Sequence, residues 1–202
     1  MSSGNVAGIL LAAGEGSRLG RPKALIELRG RSLVRRGIAL LHDGGTKPVI
    51  VVSGATGPLG HEPGVLSVHN PDWPTGMGSS LAVGLAAVPA GCSAVVLALA
   101  DQPLVGPEAV HRLITAHAAG AQVAIACYDG QPRNPVLIAR EHWPEVIELA
   151  VGDVGARPFL RLHRDLLTEV ECGDTGRSDD IDTPEDLARI EALMARSTSF
   201  PT

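Results

Sequence analysis

The stretch LLAAGEGSRLGRPKAL (residues 10–25) runs from an aliphatic strand pattern into a glycine-rich turn and then sets Arg18, Arg21 and Lys23 close together. A turn with few Cβ atoms lets backbone N–H groups approach an anion, and the cations around it would offset several negative charges. The dinucleotide fingerprint GxGxxG does not fit, because Gly14, Gly16 and Gly20 give GxGxxxG. The second strand also ends in Val52-Ser53-Gly54, without the acid that would hold a ribose. A Walker loop, GxxxxGK(S/T), is absent as well. What remains is a loop in which Arg18 and Lys23 are expected to reach inward while Pro22 stiffens the approach to Lys23.

Outward from this loop the chain alternates. VAGILLAA (6–13), PVIVVSG (48–54), VLSVHN (65–70) and AVVLALA (94–100) read as strands, and SLVRRGIALLHDGG (32–45), MGSSLAVGLAAV (77–88) and PEAVHRLITAHAAG (107–120) as helices. Near-continuous apolar strands separated by helices predict an α/β domain whose sheet is mostly parallel and covered on both faces. After AQVAIACYDG (121–130) the alternation weakens: RNPVLIAR (133–140), helical stretches near 141–150 and 156–164, and TEVECG (168–173) predict a mixed-sheet elaboration with room for antiparallel pairing. A last helix is expected from near Thr183.

The 202 residues are 45% hydrophobic and 19% charged, an ordinary globular balance for one domain. No apolar run approaches the roughly 20 residues that span a bilayer, and no basic segment precedes the first hydrophobic stretch, so a cytoplasmic protein without membrane anchor or signal peptide is expected. A net charge of −5 with only 2% aromatics argues against nucleic-acid binding. Cys92, Cys127 and Cys172 are odd in number and widely spaced, which fits reduced core residues better than disulfides or zinc ligands. His111 and His117 read as packing residues, and Trp73 and Trp143 as core or site wall.

Residues 11–25 match, at every specified position, the opening signature LAAGxGxRxGxPKxL, and on that motif the chain resembles the MobA-like nucleotidyltransferases. The resemblance implies a single three-layer Rossmann-like nucleotidyltransferase domain with a mostly parallel mixed sheet over 1–202. Its nucleotide-binding half would span about 1–120, its acceptor-binding half about 121–195, and 196–202 would be a loose tail. It further implies that Leu11, Ala12, Ala13, Gly14 and Gly16 wrap a nucleoside triphosphate while Arg18 and Lys23 neutralise its phosphates. NPDWPTGMGSSLAVG (70–84) would bring Ser79 and Ser80 to the base or ribose, although a serine helix cap reads equally from the residues alone. LAAG rather than LAGG favours CTP over another NTP.

Nucleotidyl transfer moves charge onto pyrophosphate oxygens, so carboxylates that hold Mg2+ are required. Asp101, in ALADQPLV at the carboxyl end of an apolar strand, stands too far ahead of the helix opening at Gly106-Pro107-Glu108 to be its cap. In DDIDTPEDL, Thr183, Pro184 and Asp186 already make a helix start, which leaves Asp182 free. The resemblance assigns the second metal carboxylate to Asp182, with Asp180 as an alternate.

VGDVGARPFLRLH (151–163) resembles the GDxGAR segment of molybdenum cofactor cytidylyltransferases, and QPRNPVLIAREHW (131–143) their RGHPVLF loop. Asn134, where that family has histidine, together with Asp153 and Arg157, would then bind a small phosphorylated acceptor such as molybdopterin, and transient contact with a molybdoenzyme would follow. GMGSSL, DQP and GDVGARPFL also resemble nicotine blue oxidoreductases, which implies an NAD(P)H-dependent alternative. A non-catalytic cofactor chaperone that binds nucleotide is the third reading; its mark would be a lost metal carboxylate.

Overall fold

The protein, described as a computed structural model over residues 4–60 and 62–197, follows the expected alternation closely. Strand β1 (Asn5–Ala12) leads into the glycine turn and a small hairpin, β2 (Glu27–Leu28) with β3 (Arg31–Ser32), then helix α1 (Leu33–Asp43). Next come β4 (Val49–Ser53), β5 (Val65–His69), α2 (Met77–Ala86), β6 (Cys92–Leu99) and α3 (Pro107–Ala118). The second half holds β7 (Val123–Tyr128), β8 (Gln131–Ala139), α4 (Trp143–Leu149), α5 (Arg157–Leu162), β9 (Leu167–Glu171) and α6 (Pro184–Ser197). The hairpin at 27–32 was not legible as such, and α6 carries residues 196 and 197 of the expected tail in helix. Residues 198–202 of that tail lie outside the described residues.

Seven strands form one sheet in the order β5-β4-β1-β6-β8-β7-β9. β5, β4, β1 and β6 run parallel, β8 pairs antiparallel with both β6 and β7, and β9 returns parallel to β7. From β1 the chain first builds outward to β4 and β5, then crosses back to lay β6 on the other side of β1. That reversal opens a crevice beyond the carboxyl ends of β1 and β6, the place where open α/β sheets bind ligands. The register fixes its floor: Leu11 lies beside Leu99, and the Ala100 N–H donates to the Leu11 carbonyl at 3.1 Å.

Of the parallel strands, β1, β4 and β6 are buried on both faces because helices cover both, whereas β5 and β9 at the sheet's edges are partly exposed. α1 and α3 pack with Leu10, Val51 and Val96 on one side. α2, α4 and α5 pack with Ile9, Val52 and Leu97 on the other, where Phe159 is fully buried. In α1 the buried Leu33, Val34, Gly37, Leu40 and Leu41 recur at three- and four-residue steps, which lays one apolar stripe on the sheet. Each such leucine or isoleucine contributes roughly 1.5–3 kcal/mol by leaving water. A third, smaller cluster of Ile26, Leu28, Leu33, Ile181 and Ile190 fastens α6 and its approach to the region just after the glycine turn. Cys92, Cys127 and Cys172 are buried and free, and burial pushes the Cys172 thiol up to about 11. Among the described residues no helix is long and apolar enough to cross a membrane.

Candidate active site

The glycine turn leaves the carboxyl end of β1 and folds back on itself. Gly16 has φ +66°, and a Cβ there would stand 2.3 Å from the Arg21 carbonyl oxygen, so only glycine lets the turn close onto the segment that carries Lys23. Arg18, in a single helical turn over Ser17–Leu19, is exposed on the rim. Lys23 points inward, and its side chain is only 20% exposed.

Asp101 follows the end of the neighbouring strand β6, and Asp182 arrives from far along the sequence. The bond from Ile181 N–H to the Asp101 carbonyl, 2.9 Å, ties the late segment to this strand end, while the fully buried Ile181 side chain anchors it in the third apolar cluster. Asp180 and Asp182 flank Ile181 and both line the crevice. Lys23 Nζ donates to Asp101 Oδ2 at 2.8 Å and to Asp182 Oδ1. The two carboxylates predicted from distant motifs therefore share one cation. Burial disfavours the Lys23 ammonium, but Asp101 and Asp182 outweigh that cost and hold its pKa above the ordinary lysine value. Asp101 Oδ1 is buried with no hydrogen-bond partner among the described residues. Burial, together with the charges of Asp101 and Asp182, pushes the Asp180 carboxyl up against a hydrogen bond from Gln102 Nε2 at 2.8 Å.

α6 starts as its sequence requires. Asp186 N–H donates to Thr183 Oγ1 at 3.2 Å and Thr183 N–H to Asp186 Oδ2 at 3.0 Å, a reciprocal cap that leaves the Asp182 side chain to the crevice.

The crevice has two connected lobes of about 450 and 470 Å3 that share Leu11, Gly14, Gly16, Met77, Asp101 and Asp153. Lys23, Arg18, Ala12, Arg157 and Asp182 line one lobe, and Ala13, Trp73, Pro74 and Ser80 the other. The second lobe owes its wall to Asn70, which is 1% exposed and donates from Nδ2 to Ser79 Oγ and Ser80 Oγ, both at 2.9 Å. Ser79 does not line either lobe; its hydroxyl donates to the Gly76 carbonyl at 2.9 Å and helps hold the loop before α2. Trp73, read from the sequence as core or site wall, does line the second lobe, and Pro74, Thr75 and Met77 join it in that wall.

That turn also joins the two halves of the chain. A Cβ on Gly78 would lie 1.6 Å from the Ala150 carbonyl oxygen, and the Gly78 N–H donates to the Gly152 carbonyl at 2.9 Å. The Met77 N–H donates to Asp153 Oδ1 at 3.3 Å, which places Asp153 on the lip between the lobes. Asn134 lines neither lobe but an adjoining cavity of about 40 Å3 that shares Leu11, Met77, Leu99 and Arg157 with the crevice.

A cationic glycine turn and two carboxylates at the switch of a parallel sheet define a phosphate-handling α/β enzyme. The family model of the MobA-like NTP transferase domain matches residues 8–168. The chain belongs to that family and is a nucleotidyltransferase. Nicotine blue oxidoreductase from Paenarthrobacter nicotinovorans is 38% identical over 92% of this chain and 96% of its own length. Molybdenum cofactor guanylyltransferase from Rhodobacter capsulatus is 33% identical over 95% of this chain and 98% of its own. Among solved structures, Rv0371c from Mycobacterium tuberculosis H37Rv superimposes with a TM-score of 0.80 at 26% identity, covering 95% of this chain and 100% of that one.

Proposed function

We propose that the protein transfers a cytidylyl group from CTP to the phosphate monoester of molybdopterin and releases pyrophosphate. The observation that carries this reading is the Lys23 ammonium clasped by Asp101 and Asp182 beside the glycine turn. One phosphate oxygen of the acceptor attacks the α-phosphorus while the bond to pyrophosphate breaks. A phosphate dianion is nucleophilic without a covalent enzyme intermediate, so the protein's share is positioning and electrostatics. Backbone N–H groups of the turn at Gly14 and Gly16, with Arg18 and Lys23, hold the triphosphate; Leu11, Ala12 and Ala13 floor it. Trp73, Pro74 and Ser80 wall the base and ribose. Asp153 and Arg157 meet the acceptor's phosphate end.

Magnesium fits the same residues. Asp101 keeps a buried oxygen without a partner among the described residues, and Asp182 shares with it the bond to Lys23. Two carboxylates supplemented by substrate oxygens are the usual protein contribution to a magnesium site. When bound, the ion would offset charge on the bridging and leaving oxygens. LAAG at 11–14 supports cytidine, whereas the relative from Rhodobacter capsulatus is named for guanylyl transfer. The protein works on small molecules in the cytoplasm, with no part for nucleic acid or membrane.

The test is a thermal-shift panel of the four NTPs with magnesium, followed by pyrophosphate release with molybdopterin. A ligand that binds the native state raises its apparent stability, so CTP alone should shift the melt. No shift by any NTP would refute the reading. The 38% identity to nicotine blue oxidoreductase favours one rival, a pyridine-nucleotide reductase. NADPH consumption with a quinoid dye, in place of pyrophosphate release, would establish it.

A further inference from the structure

Lys23 has two claims on its single charge. Its ammonium is bonded to Asp101 Oδ2 at 2.8 Å and to Asp182 Oδ1, yet it lines the same lobe as Gly14, Gly16 and Arg18, where the proposed triphosphate lies. The clasped arrangement also offers a divalent ion little to bind. Of the two Asp101 oxygens, Oδ2 is covered by the ammonium and Oδ1 is buried in protein, so neither is open to an arriving cation. Asp182, 48% exposed, is the open side of the clasp. An ammonium and a divalent ion on the same carboxylates would repel each other, and more strongly in a sheltered site than in water.

The parts of the clasp differ in what can move. The backbone around Lys23 is fixed: the Leu25 N–H donates to the Pro22 carbonyl at 3.1 Å, the Ile26 N–H donates to the Lys23 carbonyl at 3.0 Å, and Ala24 is buried. Gly16 closes so tightly on this segment that a Cβ there would stand 3.1 Å from the Lys23 nitrogen. The acids are held as firmly, by the bond from the Ile181 N–H to the Asp101 carbonyl and by the reciprocal cap of Thr183 and Asp186 just after Asp182. Travel is left to the lysine's four-carbon stem, whose compact ammonium changes partners more readily than a planar guanidinium. Among the described residues Lys23 is the one ion-pair partner of Asp101 and of Asp182, while Arg18 lies exposed on the rim.

We infer that Lys23 is a built-in counter-ion that keeps the carboxylate pair from divalent metal until nucleotide arrives, and that the two ligands enter by exchange. The phosphates draw the ammonium off, and the two carboxylates pass to the ion. Metal without nucleotide must compete with the ammonium; nucleotide without metal must break the clasp and face two bare carboxylates. Each ligand therefore strengthens the other, by the same factor in both directions. The exchange rests on the nucleotidyl reading in taking a triphosphate as the arriving anion, whereas the competition between Lys23 and metal stands on the clasp itself.

The test begins with the wild type. Lys23 and Lys47 are the two lysines of the chain, so 15Nζ labelling gives at most two side-chain ammonium signals, and Lys47→Met, at an exposed position, assigns the one that remains to Lys23. In protein without ligands that signal should stand apart from free lysine. CTP in EDTA, or saturating magnesium without nucleotide, should each move it. Mn2+ titrations without nucleotide, read by the electron paramagnetic resonance of the free ion, should show Lys23→Met binding at least about tenfold tighter than wild type. Arg18→Met should stay within about threefold, as expected for an exposed charge. Metal that binds the wild type and leaves the Lys23 signal unmoved would overturn the inference, because both cations would then sit on the carboxylates together. So would CTP that binds without moving the signal, an unchanged Mn2+ affinity in Lys23→Met, or an equal gain in both variants. If Lys23→Met does not fold, the wild-type spectra decide alone. A Lys23 signal that magnesium moves, in a protein that no NTP stabilises, would keep the competition and refute the transferase reading instead.

Discussion

Replacing Lys23 by methionine removes the cation that Asp101 and Asp182 share and leaves two carboxylates facing each other. The side chains of Lys23 and Asp101 are 20% and 21% exposed, so their contact is a sheltered pair, and stranding one partner of such a pair costs about 3 kcal/mol. Asp182 is 48% exposed, and its contact adds only about 0.5 kcal/mol. The sum, about 3.5 kcal/mol, corresponds to a fall in Tm of roughly 7–14 °C for a domain of this size. The pKa of Lys23 is raised by its partners, so the stabilisation is complete below the unfolded lysine value, about 10.4, and fades as pH climbs through the folded one. At neutral pH the loss should therefore be fully visible. The assay is a double-mutant cycle of Lys23→Met and Asp101→Asn, followed by thermal and urea unfolding. The double variant strands neither charge, so it should recover about 1.5–3 kcal/mol relative to the sum of the single changes. A Lys23→Met protein that melts within about 2 °C of wild type, or a cycle additive within about 0.5 kcal/mol, would show that the ammonium does not join these carboxylates in solution.

Asp101→Ala and Asp182→Ala should each lower magnesium-dependent pyrophosphate release by about 100-fold or more while leaving the far-ultraviolet circular dichroism unchanged; near-normal turnover in either would remove that residue from the reacting centre. Gly78→Ala forces a methyl onto the Ala150 carbonyl oxygen and should cost about 3 kcal/mol of stability, read by urea unfolding, because the contact is with backbone that cannot rotate away. Asn70→Ala strips a buried amide from Ser79 and Ser80 and should destabilise by about 2–3 kcal/mol; nucleotide titration should also show weaker binding, since the wall at 73–75 loses its anchor. Asp179 is held below the ordinary carboxylate range by Arg177, with Arg189 adding to it. The stability this supplies is present above about pH 3.9 and is lost as pH falls through the lowered folded value, so Arg177→Ala with Arg189→Ala should move the acid-unfolding midpoint upward.

The parallel half of the fold was legible because β1, β4 and β6 are apolar and buried on both faces and α1 carries one apolar stripe. The short hairpin at 27–32 escaped because two-residue strands have no periodicity to detect. In the site, Asp101 could be read from its place at a strand end and Asp182 from the cap beside it, which its own side chain does not supply. Their convergence beside the glycine turn was expected only from the family resemblance; the backbone bond between residues 101 and 181 that produces it is encoded by no local pattern. Trp73 could be read as core or site wall, but the part played by Asn70 could not, because it organises that wall through side-chain bonds to a helix that follows.

The bond between Ile181 and Asp101 also sets an order of events during synthesis. The glycine turn and Asp101 can be in place once β6 is formed, but Asp182 arrives only with the final fifth of the polypeptide. On the proposed reading, a chain that has not yet reached Asp182 would hold triphosphate at the turn without the second carboxylate.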